Sequence, residues 1–137
     1  MRRNLGRAAR LAALFLSFGV ASLTGTKSAE AQTVQYDGVY AGMQTLTEGG
    51  SVHNYSECLK GPFKRSLFVK NGAVTYLYNP TTNMEVIGTV SPAGDISASA
   101  STPAGGVSLS GKIQGDQFTG EIWSLYCTYS LELKRTP

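Results

Sequence analysis

The chain contains 137 residues, of which 15% are charged, and it carries a formal net charge of +3. Five of the twelve basic residues and one of the nine acidic residues fall within the first 31 positions. The remaining 106 residues therefore hold seven basic and eight acidic residues, a net charge of −1. If the first segment is removed, this balance excludes binding to nucleic acid or to anionic membranes driven by overall positive charge.

The N-terminal segment has the parts of a secretory signal peptide. It begins with a basic stretch that contains Arg2, Arg3, Arg7 and Arg10. An apolar run follows at 11–23, shorter than the roughly 20 residues that a membrane span requires. Ala29 and Ala31 then place small residues at the positions that signal peptidase reads. We expect a cleaved signal peptide at 1–31 and a mature domain at 32–137 without a membrane span. An arginine-rich leader of this kind indicates a periplasmic or secreted bacterial protein.

Apolar and polar residues alternate with a period of two through most of the mature sequence, whereas no helical period recurs. Glycine, serine, threonine, valine and tyrosine are abundant, which suits strands and tight turns. The alternation predicts about eight short strands, at roughly 38–47, 63–70, 73–78, 84–90, 96–101, 107–113, 118–122 and 126–134.

The dipeptide Asn71-Gly72 is the strongest local indication of structure. Both central residues of a type I′ turn need positive φ, which asparagine tolerates and glycine adopts freely. This dipeptide lies between two alternating segments and predicts a β-hairpin that joins 63–70 to 73–78.

Turn residues occupy nearly every gap between the predicted strands, at spacings typical of an all-β sandwich or barrel. Short connections favour antiparallel neighbours, so we expect a meander of about eight strands that closes into an up-and-down barrel. A β-sandwich is the alternative. Small residues on the inward faces, such as Gly88, Ala98 and Gly111, either narrow the barrel or leave room for a ligand, and a filled interior is favoured.

The chain has two cysteines, Cys58 and Cys127. In an oxidising compartment they are expected to form a disulfide, which would join the long connection 48–62 to the last strand. A metal site is disfavoured, because such sites need three or four ligands and His53 is the only histidine. We predict no metal and no other cofactor.

The polar connection contains His53, Asn54 and Tyr55. Nucleophilic catalysis requires a nucleophile, a base and an orienting group, and no G-x-S-x-G turn is present. The carboxylates are scattered, and Asp95 and Asp116 lie in turn sequences, where aspartate is favoured. These observations favour a protein that is not an enzyme, in which His53, Asn54 and Tyr55 form a loop for contact with a protein partner.

Four aromatic residues are the candidates for a ligand-binding site: Tyr76, Tyr78, Trp123 and Tyr129. Aromatic side chains form binding surfaces when they are exposed and fill a core when they are buried, and the sequence supports both interpretations equally. As a site, they would hold a small apolar or amphipathic molecule at the mouth of the barrel.

The segment 60–70 holds four of the seven mature basic residues: Lys60, Lys64, Arg65 and Lys70. The period of two places Lys64 and Lys70 on one face of the predicted strand. They form either a weak cationic stripe for an acidic partner or an ordinary solvated outer face, and the solvated face is favoured.

The leader, size, number of strands and paired cysteines together resemble those of small bacterial exported β-barrel proteins. This group includes lipocalin-like binders and periplasmic inhibitors of proteases and lysozymes. The resemblance implies binding of a small-molecule ligand or, alternatively, of a protein partner, as in an inhibitor or a cell-envelope accessory protein. We expect a monomer.

Overall fold

The computed structural model describes residues 33–47, 58–103, 105–124 and 127–137. Its strands are β1 (Gly38–Leu46), β2 (Phe63–Lys70), β3 (Ala73–Asn79), β4 (Met84–Val90), β5 (Asp95–Thr102), β6 (Gly105–Gln114), β7 (Gln117–Ser124) and β8 (Thr128–Arg135). Each strand pairs antiparallel with the next, and β8 pairs with β1. The predicted all-β meander closing into an up-and-down barrel is therefore confirmed, and the sandwich alternative is wrong.

The hairpin between β2 and β3 forms at the predicted place. Asn71 has φ of 50° and Gly72 has φ of 79°, the positive values that a type I′ turn demands. Val69 pairs with Val74 across this turn, and both side chains are buried. The turn chemistry therefore sets a register that places the apolar residues of both strands in the interior.

Side chains that point inward fill the barrel. Every strand contributes buried side chains, including Ile96 of β5. The largest fully buried side chains are those of Tyr40, Tyr76, Phe118, Leu67, Leu109, Ile122, Leu131, Leu133, Val74 and Val86. Gly88 of β4 pairs with Ala98 of β5, and a Cβ added to Gly88 would lie 2.6 Å from the Ala98 Cβ. The small residues on these two strands therefore narrow the barrel.

Phe118 packs where two glycines face each other. Gly111 of β6 pairs with Gly120 of β7. A Cβ on Gly111 would lie 2.6 Å from ring atoms of Phe118, and one on Gly120 would lie 2.7 Å from its ring. The Phe118 ring thus occupies the space that side chains at 111 and 120 would fill, and the main chain of these glycines forms part of the wall around it.

The two ends of the barrel differ in their connections. At the end that we call the closed end, hairpins turn within short segments such as 71–72 and 115–116. A 3-10 turn at Val34–Tyr36 lies at the same end and leads into β1. At the opposite end, which we call the open end, the chain passes from β1 to β2 through residues 47–62.

Arg135 is the centre of a hydrogen-bond network at the closed end. Its Nη2 donates to the hydroxyl oxygen of the buried Tyr40 at 2.6 Å and to the carbonyl oxygen of Gln35 at 3.0 Å. The Tyr40 hydroxyl donates in turn to the carbonyl oxygen of Tyr36 at 2.9 Å. The Arg135 Nε also forms an ion pair with Oδ1 of Asp116, at 3.5 Å. Burial raises the pKa of Tyr40, although the neighbouring guanidinium acts in the opposite direction. This network fastens the 3-10 turn to the last strand.

The predicted disulfide is confirmed at the open end. Cys58 and Cys127 are bonded, with 5.7 Å between their Cα atoms, and both are buried. The bridge joins the segment that enters β2 to the residue that precedes β8. No helix within the described ranges has the length and apolar character of a membrane span.

Candidate ligand site at the open end

The structure separates the four aromatic candidates into two groups. Tyr76 and Tyr78 of β3 and Tyr129 of β8 lie on inward-facing positions toward the open end. Trp123 lies on the outer face of β7 and is 41% exposed. The barrel therefore brings the three tyrosines together, and Trp123 does not join them.

A groove of about 380 Å³ lies at the open end. Its apolar walls are formed by Phe63, Tyr78, Tyr129 and Leu59, and its polar side chains include Gln44 and Arg65. Tyr76 is fully buried and bonded to Gln44, so it supports the groove without lining it. Such a mixture, apolar walls with a few placed polar groups, is the usual make-up of a small-molecule site.

Gln44 is the buried polar residue of the described barrel, with 2% of its surface exposed. Its Oε1 accepts a hydrogen bond of 2.5 Å from the Tyr76 hydroxyl. Among the described residues this is the hydrogen bond that the Gln44 side chain makes. Burial raises the pKa of Tyr76, and the positive charge of Arg65 opposes that rise. The floor of the groove is thus poorly solvated and holds a neutral phenol.

Tyr129 links the groove to the disulfide segment. Its hydroxyl donates to the carbonyl oxygen of Leu59 at 3.1 Å. Burial raises the pKa of Tyr129, while the positive charge of Arg65 acts in the opposite direction. With the Cys58–Cys127 bridge beside it, the bond holds Leu59 at the rim of the groove.

Arg65 occupies an inward position of β2, between Phe63 and the buried Leu67. Its guanidinium carbon lies 4.9 Å from the centre of the Phe63 ring, and its Nη1 donates to the carbonyl oxygen of Lys64 at 2.9 Å. Its Nε is inaccessible to water and has no hydrogen-bond partner in the described part of the chain. No described carboxylate forms an ion pair with Arg65, whereas Lys70, Lys112 and Arg135 each have one.

Sequence reasoning missed Arg65 and Gln44 as site residues. Arg65 was treated as part of a basic segment, although the period of two that buries Phe63 and Leu67 also places Arg65 inside the barrel. Gln44 follows Tyr40 at the same period on β1. A charged or polar side chain in the inward phase of a strand is the feature that would have found both.

The basic residues next to Arg65 lie outside. Lys64 is exposed, and Lys70 is exposed and pairs with Asp37 at 3.3 Å. This agrees with the solvated face that the sequence favoured. His53, Asn54 and Tyr55, the predicted partner-binding loop, lie outside the described residues.

A second groove, of about 590 Å³, lies on the outer wall across β1, β2 and β3. Phe68, which is 47% exposed, and Met43, which is 43% exposed, contribute apolar surface to it. This groove has no buried polar side chain comparable to Gln44. The open-end groove therefore provides more of the features from which a selective small-molecule site is built.

The fold and the groove together define a closed eight-stranded antiparallel barrel with a groove of mixed polar and apolar lining at one end, which contains an arginine. No protein-family model, curated protein or solved structure matches the chain. The described residues contain no group of three or more His, Cys, Asp or Glu side chains that could hold a metal ion. What the site can do chemically is therefore argued from its own residues, which provide hydrogen-bond donors and apolar walls.

Tyr76→Phe should lower the free energy of unfolding by about 1–3 kcal/mol at pH 7, because Gln44 would lose its buried hydrogen-bond donor. Above pH ~10 the wild type should also lose stability, since burial raises the pKa of Tyr76 in the folded state and the unfolded chain releases this proton first. The loss attributable to Tyr76 is up to about 1.4 kcal/mol per pH unit. Urea unfolding between pH 7 and pH 11 measures both effects.

The matched control is the double variant Tyr76→Phe with Gln44→Leu. Because both partners are then apolar, it should recover part of the stability lost at pH 7. Both variants should lose stability less steeply than the wild type above pH ~10. An unchanged alkaline slope in Tyr76→Phe would contradict the argument.

Proposed function

We propose that this protein is a non-enzymatic binding protein that holds a small amphipathic molecule in the open-end groove. The observation that carries the proposal is the pairing of apolar walls with the donors of Arg65 that have no acceptor among the described residues. An apolar molecule gains by burial against Phe63, Tyr78 and Tyr129, and a polar group on it can satisfy the donors. The groove volume, about 380 Å³, is within the range of small-molecule sites.

We further propose that the protein acts in the periplasm or after secretion. Two observations support this compartment: the arginine-led apolar leader that ends at Ala31, and the Cys58–Cys127 disulfide. In such a compartment the disulfide persists and keeps the rim of the groove in place.

Native mass spectrometry of the protein purified after export provides the first test. The same sample is measured under denaturing, non-reducing conditions, which gives the mass of the chain alone and shows whether cleavage occurs before Gln32. We expect the native mass to exceed the chain mass by a discrete amount that is lost on denaturation, as a captured ligand would give. A bare native mass, together with no response to the probes described next, would contradict the proposal.

Two phenylalanines of β2 provide a matched pair that locates the site. Phe63 lines the groove, whereas Phe68 lies on the outer wall. In titrations of ¹⁵N-labelled protein with octanoate and 1-octanol, Phe63→Ala should weaken binding about tenfold or more, because apolar contact is removed. Phe68→Ala should leave binding unchanged. Phe63→Leu replaces Phe63→Ala if the dispersion of the amide spectrum shows that alanine impairs folding.

The opposite pattern, in which Phe68→Ala weakens binding and Phe63→Ala does not, would place the ligand in the outer groove and overturn the proposed site. A protein partner contacted by His53, Asn54 and Tyr55 stays a prediction, since these residues lie outside the described ranges.

A further inference from the structure

We propose that the open-end groove selects ligands that carry a carboxylate, and that Arg65 binds this group through its Nε and Nη2 atoms. The inference rests on the proposed function, because it names the chemical class of the molecule held in the groove. It makes Arg65 the specificity-determining residue.

The hydrogen bonds of Arg65 leave one edge of the guanidinium available. Nη1 donates to the carbonyl oxygen of Lys64. Nε and Nη2, which form the opposite edge, have no acceptor among the described residues. Two parallel N–H groups on one edge match the two oxygens of a carboxylate, the arrangement known from bidentate arginine–carboxylate pairs.

The charge balance of the site favours an anion. The three ion pairs of the described barrel involve Lys70, Lys112 and Arg135, and none involves Arg65. Tyr76 is neutral at physiological pH, and the amide of Gln44 carries no charge. Arg65 therefore adds a positive charge to the groove that no described carboxylate balances. A ligand carboxylate would neutralise this charge where solvent screening is weak.

The burial of the Arg65 Nε is a second reason to expect an anionic ligand. Nε has no exposed surface, so it gains an acceptor only if the guanidinium turns toward the groove when a ligand enters. A buried donor without a partner is unfavourable, and a ligand that supplies the acceptor recovers that free energy. The Phe63 ring, 4.9 Å from the guanidinium carbon, restrains the side chain and limits the entropy that binding would remove.

The apolar surroundings decide what kind of carboxylate fits. Phe63, Tyr78, Tyr129 and Leu59 surround the donors, so a small hydrophilic acid would leave these walls without contact. An alkyl or aromatic chain on the carboxylate would cover them. The expected ligand is thus an amphipathic carboxylic acid.

Three eight-carbon probes with different head groups test the inference: octanoate, 1-octanol and octylamine. Titrations of the ¹⁵N-labelled mature protein give the affinity for each probe, and the Arg65 Nε–Hε resonance reports the head-group contact. We expect octanoate to bind about ten- to a hundredfold more tightly than 1-octanol, the range of a hydrogen bond to a charged group. Octanoate should shift the Nε–Hε resonance and 1-octanol should shift it less.

Arg65→Met and Lys64→Met form the matched pair of variants. Both remove one positive charge from β2, but Arg65 points inward and Lys64 is exposed. Arg65→Met should bind octanoate no more tightly than 1-octanol while it still binds 1-octanol, and Lys64→Met should keep the wild-type preference. Arg65→Lys should keep only part of the preference, since an ammonium group cannot bind both oxygens through one planar edge.

Equal affinity of the wild type for octanoate and 1-octanol would overturn the inference. A preference for octanoate that survives Arg65→Met would overturn it as well. Both results would leave the proposed function in place. Tighter binding of octylamine would overturn it too. If none of the three probes binds, the inference fails, and if the native mass is bare as well, the proposed function fails with it, so the two failures are distinguishable.

Discussion

Replacement of Cys58 and Cys127 together by alanine should lower the free energy of unfolding by about 4 kcal/mol. The two cysteines are 69 residues apart in sequence, so their bridge restricts about half of the 137-residue chain when it is unfolded. Small domains have a total stability of about 5–15 kcal/mol. The expected loss is therefore a large share of the whole, and chemical denaturation followed by fluorescence and circular dichroism measures it.

Wild-type protein treated with a reductant is the control for this prediction. If the bridge acts mainly on the unfolded chain, reduction should cost nearly the same free energy as the double substitution. The double variant and the reduced wild type should both unfold at a lower denaturant concentration than the oxidised wild type. Their spectra under native conditions should be unchanged. A loss of less than about 1 kcal/mol in both samples would show that the connection is restrained without the bridge.

The strands and their antiparallel order could be predicted because their local features agree. Alternation with a period of two identifies the inward face of each strand, and short turns leave antiparallel pairing as the simple choice. Asn71-Gly72 adds a turn of defined geometry, and both residues have the expected positive φ. Each of these depends on neighbouring residues, which is why the sequence alone is sufficient.

Closure into a barrel is a more distant property, and the sequence left a sandwich open. Closure requires β1 to pair with β8, so that Tyr40 aligns with Arg135, 95 residues away in sequence. No periodic pattern records such a pairing. Small residues such as Gly88 and Gly111 were predicted either to narrow the barrel or to leave room for a ligand, and only the pairing of strands shows that they narrow a closed barrel.

The site was only partly predictable. Tyr78 and Tyr129 were identified as candidates and they line the groove, whereas Trp123 lies on the outer face. Aromatic character alone does not distinguish these positions, because an exposed tryptophan and a groove-lining tyrosine have similar sequence neighbourhoods. The alternation does distinguish them: Trp123 has the phase opposite to Phe118 and Ile122 on β7. Arg65 was not predicted as a site residue because it lies among other basic residues and was grouped with them by charge. Its inward position in the alternation of β2 was not considered.

Phe118→Ala should lower the free energy of unfolding by about 4–5 kcal/mol, near the upper end for a phenylalanine truncation. The loss contains the transfer free energy of the ring and the free energy of the cavity that remains. That cavity depends on how far its walls can move inward. Around Phe118 the walls include the main chain at Gly111 and Gly120, which belong to paired strands of a closed sheet. Because these glycines have no side chain to rotate into the space, the cavity should stay open.

The outward-facing Phe68 provides the control, since Phe68→Ala removes the same atoms from a half-exposed position. Its expected effect is below about 1 kcal/mol, because little surface returns to water and no cavity forms. Urea unfolding of both variants gives the comparison, and xenon or benzene binding to Phe118→Ala would show directly that the cavity persists. A loss below about 2 kcal/mol for Phe118→Ala would mean that β6 and β7 move together after truncation. The barrel wall would then be softer than its continuous strand pairing implies.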